Sequence, residues 1–182
     1  MTKFSIPTRT EVSENNQILF DTLSKNIGFV PNLYAYFAKN DTALGDYLDL
    51  QNRKSILKAK EKEVVNLVTS QINGCLYCQS AHTIIAQMNG ISQEQILEIR
   101  QGFASFDAKI DALAKLTASI VENRGKASEN TKDAFFSAGY SEANLLDVLM
   151  LIGDKSISNY IHNLANFPID FPIAPQISST TN

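Results

Sequence analysis

Apolar residues recur along most of the chain at steps of three and four, the spacing of one helix face. In the segment that begins at Gln17, apolar residues occupy positions 18, 19, 20, 23 and 27, and Gly28 follows where a helix can end in a left-handed residue. The pattern predicts further helices over 31–39, 41–53, 60–73, 75–89, 129–138 and 141–164, and two more that begin at the caps Ser92 and Asp107 and end at Gly102 and Gly125. Because alternating apolar runs flanked by hairpin turns do not occur, the predicted class is all-α.

The last sixteen residues differ from the rest because three prolines fall within eight positions and end helical structure. We therefore predict one helical domain over residues 1–166, followed by a Pro-rich, extended tail over 167–182. Phe167, Phe171 and Ile173 of this tail would be costly to leave in water. They are expected to pack on the body or on a neighbouring subunit, unless the tail is a partly disordered terminus.

Composition and charge narrow the function classes. The chain has 182 residues, 44% of them hydrophobic, which is enough for a sizeable core. Its 16 Lys and Arg and 19 Asp and Glu give a net charge of −3, and no basic stripe is present to follow a phosphate backbone. We expect no nucleic-acid partner, no membrane-spanning segment, no secretory signal and a cytoplasmic location.

The two cysteines of the chain, Cys75 and Cys78, lie within four residues of each other. A disulfide across so short a loop removes little entropy from the unfolded chain, so a structural cross-link is a poor explanation for the pair. A CxxC motif without an export signal instead suggests a cytoplasmic redox pair or half of a metal site.

Helix geometry brings a histidine to the two cysteines. At about 100° per residue, Cys78 lies about 300° and His82 about 340° from Cys75, so the three side chains share one stripe. Gln79 borders this stripe, whereas Tyr77 points away from it and is expected to pack. His82 is therefore the predicted acid and base for thiol chemistry at this site.

The cysteines are expected in the first turn of their helix, because Gly74 interrupts the helix before it. Unpaired N–H groups and the helix dipole favour negative charge there, so a thiolate is stabilised. By this criterion the more N-terminal Cys75 is the expected thiolate. After attack on a peroxide, a sulfenic acid could condense with the neighbouring thiol to form a disulfide.

Glu63 lies twelve residues before Cys75, near the start of the preceding helix. If the two helices pack antiparallel, the carboxylate of Glu63 would meet His82, and partial burial would raise the pKa of Glu63. The alternative is an exposed carboxylate that complements the helix dipole.

Together, Glu63, the motif Cys75-x-Tyr-Cys78-x-x-Ala-His82 and an upstream Gly28-Phe-Val-Pro-Asn resemble the alkylhydroperoxidase and carboxymuconolactone decarboxylase-like family, specifically its peroxidase-related branch. The resemblance covers roughly residues 18 to 165. It implies an alkylhydroperoxidase-like helical bundle that assembles into trimers or hexamers and needs no cofactor.

The resemblance also implies roles for the site residues. Cys78 would attack a hydroperoxide, Cys75 would resolve the sulfenic acid to a disulfide, and Glu63 and His82 would form the proton relay. A dithiol, such as a lipoyl-bearing protein, would then reduce the disulfide. Related peroxidases have a histidine where this chain has Tyr77, and tyrosine is a poor base at neutral pH. Peroxide turnover would then be slow, or the substrate would be a disulfide; the decarboxylase members of the family lack the cysteine pair.

Two other classes of function are compatible with the same residues. Cys75, Cys78, His82 and Glu63 are four ligands of types that zinc accepts, which would make the chain a metal-binding module. A non-catalytic redox sensor, in which the disulfide changes an oligomer interface, is the third class and is favoured only by the apolar tail.

Overall fold

The computed structural model describes residues 4–177 as α-helices joined by short connections, without β-strands in that range. A short 3-10 helix, Arg9–Glu11, precedes them. The α-helices are α1 Glu14–Ile27, α2 Asn32–Phe37, α3 Ala43–Gln51, α4 Ala59–Ile72, α5 Leu76–Met88, α6 Gln93–Arg100, α7 Ala108–Glu122, α8 Glu129–Ser137 and α9 Glu142–Ala165. The all-α class is therefore confirmed over the described residues.

The predicted helix ends agree with the structure to within a few residues. Gly28 ends α1 with a φ of 94°, and Ser92 caps α6 by accepting the backbone N–H of Gln95 at 3.3 Å. Pro31, predicted as the first residue of its helix, is instead the N-cap of α2. The helix α9 runs through Gly153 without a break.

The chain forms two compact units. The first combines the residues up to Lys54 with Ile161–Asp170, and the second combines Ser55–Tyr160 with the chain from Phe171 onward. The end of α9 and the start of the tail thus group with the N-terminal helices, and the boundary at residue 166 stays a prediction. Residues 178–182 of the predicted tail and residues 1–3 lie outside the described part of the chain.

The first unit is held together by aromatic contacts. The rings of Phe37 and Tyr47 stack with centroids 4.3 Å apart, which fixes α2 against α3. Phe167 is buried as expected, because its ring stacks on Tyr36 and its carbonyl contacts Nε2 of His162 at 3.1 Å. His162 therefore has a structural role in this unit.

The second unit is organised around α4, which packs against α5, α6 and α7. An unbroken run of α4 residues, from Glu63 to Ser70, is buried, so this helix is covered on all sides. Apolar side chains of α4 and of the segments around it form one continuous core: Leu57, Val64, Val65, Leu67, Val68, Ala86, Ile91, Ile96, Ile99, Ala104, Leu113, Ala114, Leu116, Ile120, Phe135, Tyr140, Val148 and Leu151.

A tight turn joins α4 to α5 and sets the position of the cysteines. Gly74 has a φ of 67°, a left-handed conformation that glycine adopts at little cost. The backbone N–H of Cys75 then donates to the carbonyl of Ser70 at 3.0 Å. This turn places Cys75 at the N-cap of α5 and Cys78 within its first turn, as the sequence predicted.

Within the second unit, the start of the tail packs on α5. Phe171 contacts the ring of Tyr77 edge-on at 5.4 Å, and the N–H of Ala174 donates to the hydroxyl of Ser80 at 3.0 Å. Ile173 is 60% exposed on its own chain, so for this residue packing on a neighbouring subunit stays a prediction. The tail is therefore an ordered, extended segment up to residue 177, with only part of its apolar surface covered.

Candidate active site

The two cysteine sulfurs lie 2.7 Å apart and form no disulfide bond. The thiol of Cys75 donates to the sulfur of Cys78, and the backbone N–H of Cys78 donates back to the sulfur of Cys75 at 3.3 Å. Both side chains are buried, with 0% of Cys75 and 2% of Cys78 exposed. The sulfurs are thus paired and close enough to form a disulfide with a small movement.

The surroundings of the two thiols shift the pKa of Cys75 and the pKa of Cys78 in opposite directions. The pKa of Cys78 is lowered to about 6, chiefly because Cys75 donates its hydrogen bond; burial opposes this, and the charges of Lys155 and His82 support it. The pKa of Cys75 is raised by the same hydrogen bond, by burial and by the negative charge on Cys78. These shifts favour Cys78 as the thiolate, against the helix-dipole expectation for Cys75, because the hydrogen bond between the thiols outweighs the position along the helix.

The central part of α9 forms a wall of the site that the sequence did not predict. The hydroxyl of Ser158 lies 4.0 Å from the sulfur of Cys78. One turn earlier on the same helix, Lys155 is 2% exposed and its ammonium lies 3.9 Å from Asp154. The positive charge of Lys155 lowers the pKa of both Cys78 and Glu63. The buried ammonium of Lys155 thus stabilises the ionised forms of both Cys78 and Glu63.

Asn159 connects α9 to the turn that carries the cysteines. Its amide nitrogen donates to the hydroxyl of Ser70 at 3.3 Å, and its carbonyl oxygen accepts from Asn73 at 3.0 Å. A side-chain hydrogen bond from Asn159 also lowers the pKa of Cys75 and Cys78. The residue therefore fixes the turn and favours negative charge on sulfur.

Glu63 and His82 meet across the α4–α5 pair, as the antiparallel arrangement predicted. Oε2 of Glu63 lies 2.8 Å from Nδ1 of His82, and Oε1 accepts from the amide of Asn66 at 2.9 Å. The expected rise in the pKa of Glu63 is wrong. Burial does act to raise it, but the combined effect of His82, Asn66 and Lys155 lowers it below the ordinary value. The carboxylate is thus kept ionised against the imidazole.

Gln79 and Tyr77 support the helix in different ways. The amide of Gln79 donates to the carbonyl of Ser70 at 3.2 Å and accepts from the guanidinium of Arg100 at 2.9 Å, so it links α4, α5 and α6. Tyr77 is buried and packs on Phe171, in agreement with the expected packing role.

The described residues 4–177 can be examined for a metal site and for a membrane-spanning helix. No group of three or more His, Cys, Asp and Glu side chains within that range is arranged to hold a metal ion. Glu63 and His82 instead face each other, and Cys75 faces Cys78. In the same range, every helix is too short or too polar to cross a membrane.

The geometry combines an acidic thiol, a second thiol in contact with it and a carboxylate–imidazole pair that can accept and return a proton. Such a site suits the two-electron reduction of a substrate with concurrent disulfide formation. The thiols, the carboxylate and the imidazole come from the α4–α5 pair, and α9 adds the buried ammonium and amide.

The predicted resemblance to the alkylhydroperoxidase and carboxymuconolactone decarboxylase-like family is confirmed by comparison with known proteins. Residues 35–118, which contain all six predicted site residues, match the sequence profile of the Carboxymuconolactone decarboxylase family. No curated protein is significantly similar in sequence.

Solved structures share the fold at low sequence identity. An uncharacterized peroxidase-related protein with an alkylhydroperoxidase AhpD core, from Ralstonia eutropha JMP134, has a TM-score of 0.82 and 17% identity over 92% of both chains. A peroxidase-related protein from Silicibacter sp. TM1040 has a TM-score of 0.79 and 20% identity over 92% of this chain and 90% of the other. The debrominase Bmp8 has a TM-score of 0.76 and 17% identity over 93% of both chains. The fold is therefore that of alkylhydroperoxidase-like proteins.

Proposed function

We propose that the protein is a thiol-dependent peroxidase that reduces hydroperoxides through a dithiol–disulfide cycle of Cys75 and Cys78. The observation that carries this proposal is the contact between the two sulfurs, 2.7 Å apart, with the pKa of Cys78 lowered to about 6. At neutral pH this pair supplies a thiolate and a thiol together, which are the nucleophile and the resolving group of such a cycle.

In the first step the thiolate of Cys78 attacks one oxygen of the hydroperoxide. A sulfur–oxygen bond forms, the oxygen–oxygen bond breaks, and the leaving alkoxide becomes an alcohol by taking from His82 the proton that His82 received when the thiol of Cys78 ionised. Glu63 holds the imidazole by its Nδ1, which leaves the other ring nitrogen for this transfer. Cys78 is then a sulfenic acid.

In the second step the thiol of Cys75 attacks the sulfenic sulfur of Cys78. A disulfide forms, the hydroxyl leaves as water, and the proton of the Cys75 thiol completes that water. The peroxide has gained two electrons and the two thiols have lost them. A dithiol then reduces the disulfide; a lipoyl-bearing protein is the proposed reductant, and the proposed setting is a homo-oligomer, a trimer or hexamer, in the cytoplasm.

The test is a count of free thiols before and after one equivalent of hydroperoxide is added to the reduced protein. The expected result is a loss of two thiols per peroxide, which is the whole thiol content of the chain. Cys78→Ser should consume no peroxide. In Cys75→Ser, peroxide should be consumed once and a sulfenic acid should persist, because no resolving thiol remains.

The two variants are matched controls, because each removes one sulfur and keeps a small polar side chain. Unchanged peroxide consumption by Cys78→Ser would refute the proposal. A protein that ignores hydroperoxides but exchanges with small disulfides would instead be a disulfide reductase, the outcome that Tyr77 in place of histidine favours.

A second candidate is reductive debromination, favoured by the fold shared with Bmp8, of which a cysteine-to-alanine variant was crystallised with 2,3,4-tribromopyrrole. In this reaction the thiolate of Cys78 would attack the bromine, so that a sulfur–bromine bond forms, the carbon–bromine bond breaks and the ring carbon takes a proton from His82. The thiol of Cys75 would then attack the sulfur of Cys78, lose its proton and release bromide, which leaves the disulfide. Incubation of the reduced protein with 2,3,4-tribromopyrrole tests it. Bromide release that matches the loss of thiols would favour this activity, and no release would exclude this substrate.

A further inference from the structure

A cavity of about 670 Å³ lies in the second unit, between the N-terminal ends of α4 and α7 and one side of α6. We call it the α4–α7 cavity. Its lining includes none of the residues of the thiol site. The volume falls within the roughly 300–1,000 Å³ that is usual for small-molecule sites. The cavity is therefore large enough to hold a small organic ligand away from the thiols.

The inner part of the lining is apolar. Val64, Ile91 and Ile99 line the cavity from the core side, and each is at most 5% exposed. Phe106 lines the outer side, where 41% of its surface is exposed although it is a large apolar residue. An apolar wall next to an exposed aromatic ring favours a ligand that has a hydrocarbon part.

Three exposed lysines, Lys58, Lys60 and Lys109, line the outer part of the cavity. Two of them are held by neutral partners. Nζ of Lys60 donates to the carbonyl of Gly90 at 2.9 Å, and Nζ of Lys109 lies 4.4 Å from the centroid of the Tyr140 ring. Within residues 4–177, none of the three ammonium groups forms an ion pair with a carboxylate. Their positive charge is therefore positioned without being neutralised.

The two carboxylates of the lining, Glu61 and Asp107, are engaged by donors of the protein. Oε1 of Glu61 accepts from the hydroxyl of Tyr140 at 3.0 Å, and Oε2 accepts from the backbone N–H of Lys58 at 2.7 Å. Oδ1 of Asp107 caps α7 by accepting the backbone N–H of Lys109 at 2.8 Å. Three lysines and two carboxylates leave an excess of one positive charge around the cavity. This excess matches a ligand with a single negative charge.

We propose that the α4–α7 cavity binds a small monocarboxylate with an apolar chain. The carboxylate lies at the lysines of the outer part, where an ammonium group supplies a charge-assisted hydrogen bond. The chain lies along Phe106 and against the apolar wall, where its burial removes hydrocarbon from water. Inorganic phosphate fits less well, because it carries more negative charge than the lining balances and has no apolar part.

Isothermal titration calorimetry of the whole, reduced chain with octanoate tests the proposal. Saturable binding to one site per chain is expected. Octanamide, a neutral analogue of the same shape, should bind about tenfold more weakly, because it lacks the charge that the lysines recognise. Butyrate should also bind at least about tenfold more weakly, because it has four fewer methylene groups to bury.

Substitutions place the ligand in this cavity. Lys60→Gln combined with Lys109→Gln should weaken octanoate binding at least about tenfold and leave octanamide binding unchanged. Lys25→Gln combined with Lys126→Gln is the matched control, because it removes the same charge from exposed lysines outside the cavity. Phe106→Ser should weaken octanoate and octanamide alike, since both lose the same apolar contact. Circular dichroism checks that every variant stays helical.

Absence of saturable octanoate binding, or equal affinity of the wild type for octanoate and octanamide, would overturn the proposal. An equal loss of affinity in the two double-lysine variants would also overturn it, because overall charge and not this cavity would then attract the anion. Phosphate that displaces octanoate at equal concentration would show an unselective anion site and overturn the assignment to a monocarboxylate. These titrations contain no hydroperoxide, so their outcome does not depend on the proposed peroxidase activity.

Discussion

Replacement of Cys75 by alanine removes the hydrogen bond that most strongly lowers the pKa of Cys78. The pKa of Cys78 should then rise from about 6 towards the ordinary value of 9.0, because burial remains and favours the neutral thiol. A rise of one to three units corresponds to about 1.4 to 4 kcal/mol of lost preference for the thiolate. At neutral pH the ionised fraction would fall from about nine-tenths to about half or less.

The assay is the ultraviolet absorbance of the thiolate, followed from about pH 4 to about pH 10. In the Cys75→Ala variant Cys78 is the one thiol left, since the chain has two cysteines, and its titration is read below about pH 9, before the tyrosines ionise. Cys75→Ser is the matched control, because its hydroxyl can still donate to the sulfur of Cys78 and the rise in pKa should be smaller. If the pKa of Cys78 stays near 6 in the alanine variant, or if both variants shift equally, the hydrogen bond between the thiols does not set its acidity.

Peroxide consumption by the wild type should fall as the pH drops through about 6, because the thiolate of Cys78 exists above its lowered pKa and is protonated below it; single-turnover rates across this range check the prediction. Glu63→Gln should reduce turnover by about 10²–10⁴-fold, the usual contribution of acid–base catalysis, with unchanged helix content. Lys155→Met should raise the pKa of Cys78, and Lys155→Arg should largely restore it, as measured by thiolate absorbance. Phe171→Ala should destabilise the fold by about 1–2 kcal/mol in urea unfolding, whereas Ile173→Ala should change it by about 0.5 kcal/mol or less.

Most of the helical fold could be predicted because its signals are local. Capping residues and glycines punctuate the sequence, so Gly28, Ser92 and Asp107 mark helix ends within a residue or two. The pairing of Glu63 with His82 follows from an antiparallel arrangement of α4 and α5. The two-unit division could not be predicted, because it depends on which distant segments pack together.

The contribution of α9 to the site was missed for the same reason. Ser158 contacts Cys78 across eighty residues of sequence, and helical periodicity within a segment says nothing about such contacts. One sequence feature indicated that α9 has more than a packing role, since Asp154 and Lys155 are two adjacent charges inside a mostly uncharged helix. The direction of the pKa shift of Glu63 was wrong because burial was weighed alone: the charge and hydrogen bond of His82, followed by Asn66 and Lys155, together outweigh it.

The burial of both sulfurs restricts how the proposed disulfide can be reduced. With Cys75 and Cys78 0% and 2% exposed, a thiol from outside cannot reach them in this conformation, whatever its size. The hydroperoxide meets the same barrier, so each round of the proposed cycle needs the surroundings of the first turn of α5 to open twice. Turnover should therefore reach a ceiling set by that opening, which neither more peroxide nor a stronger reductant raises.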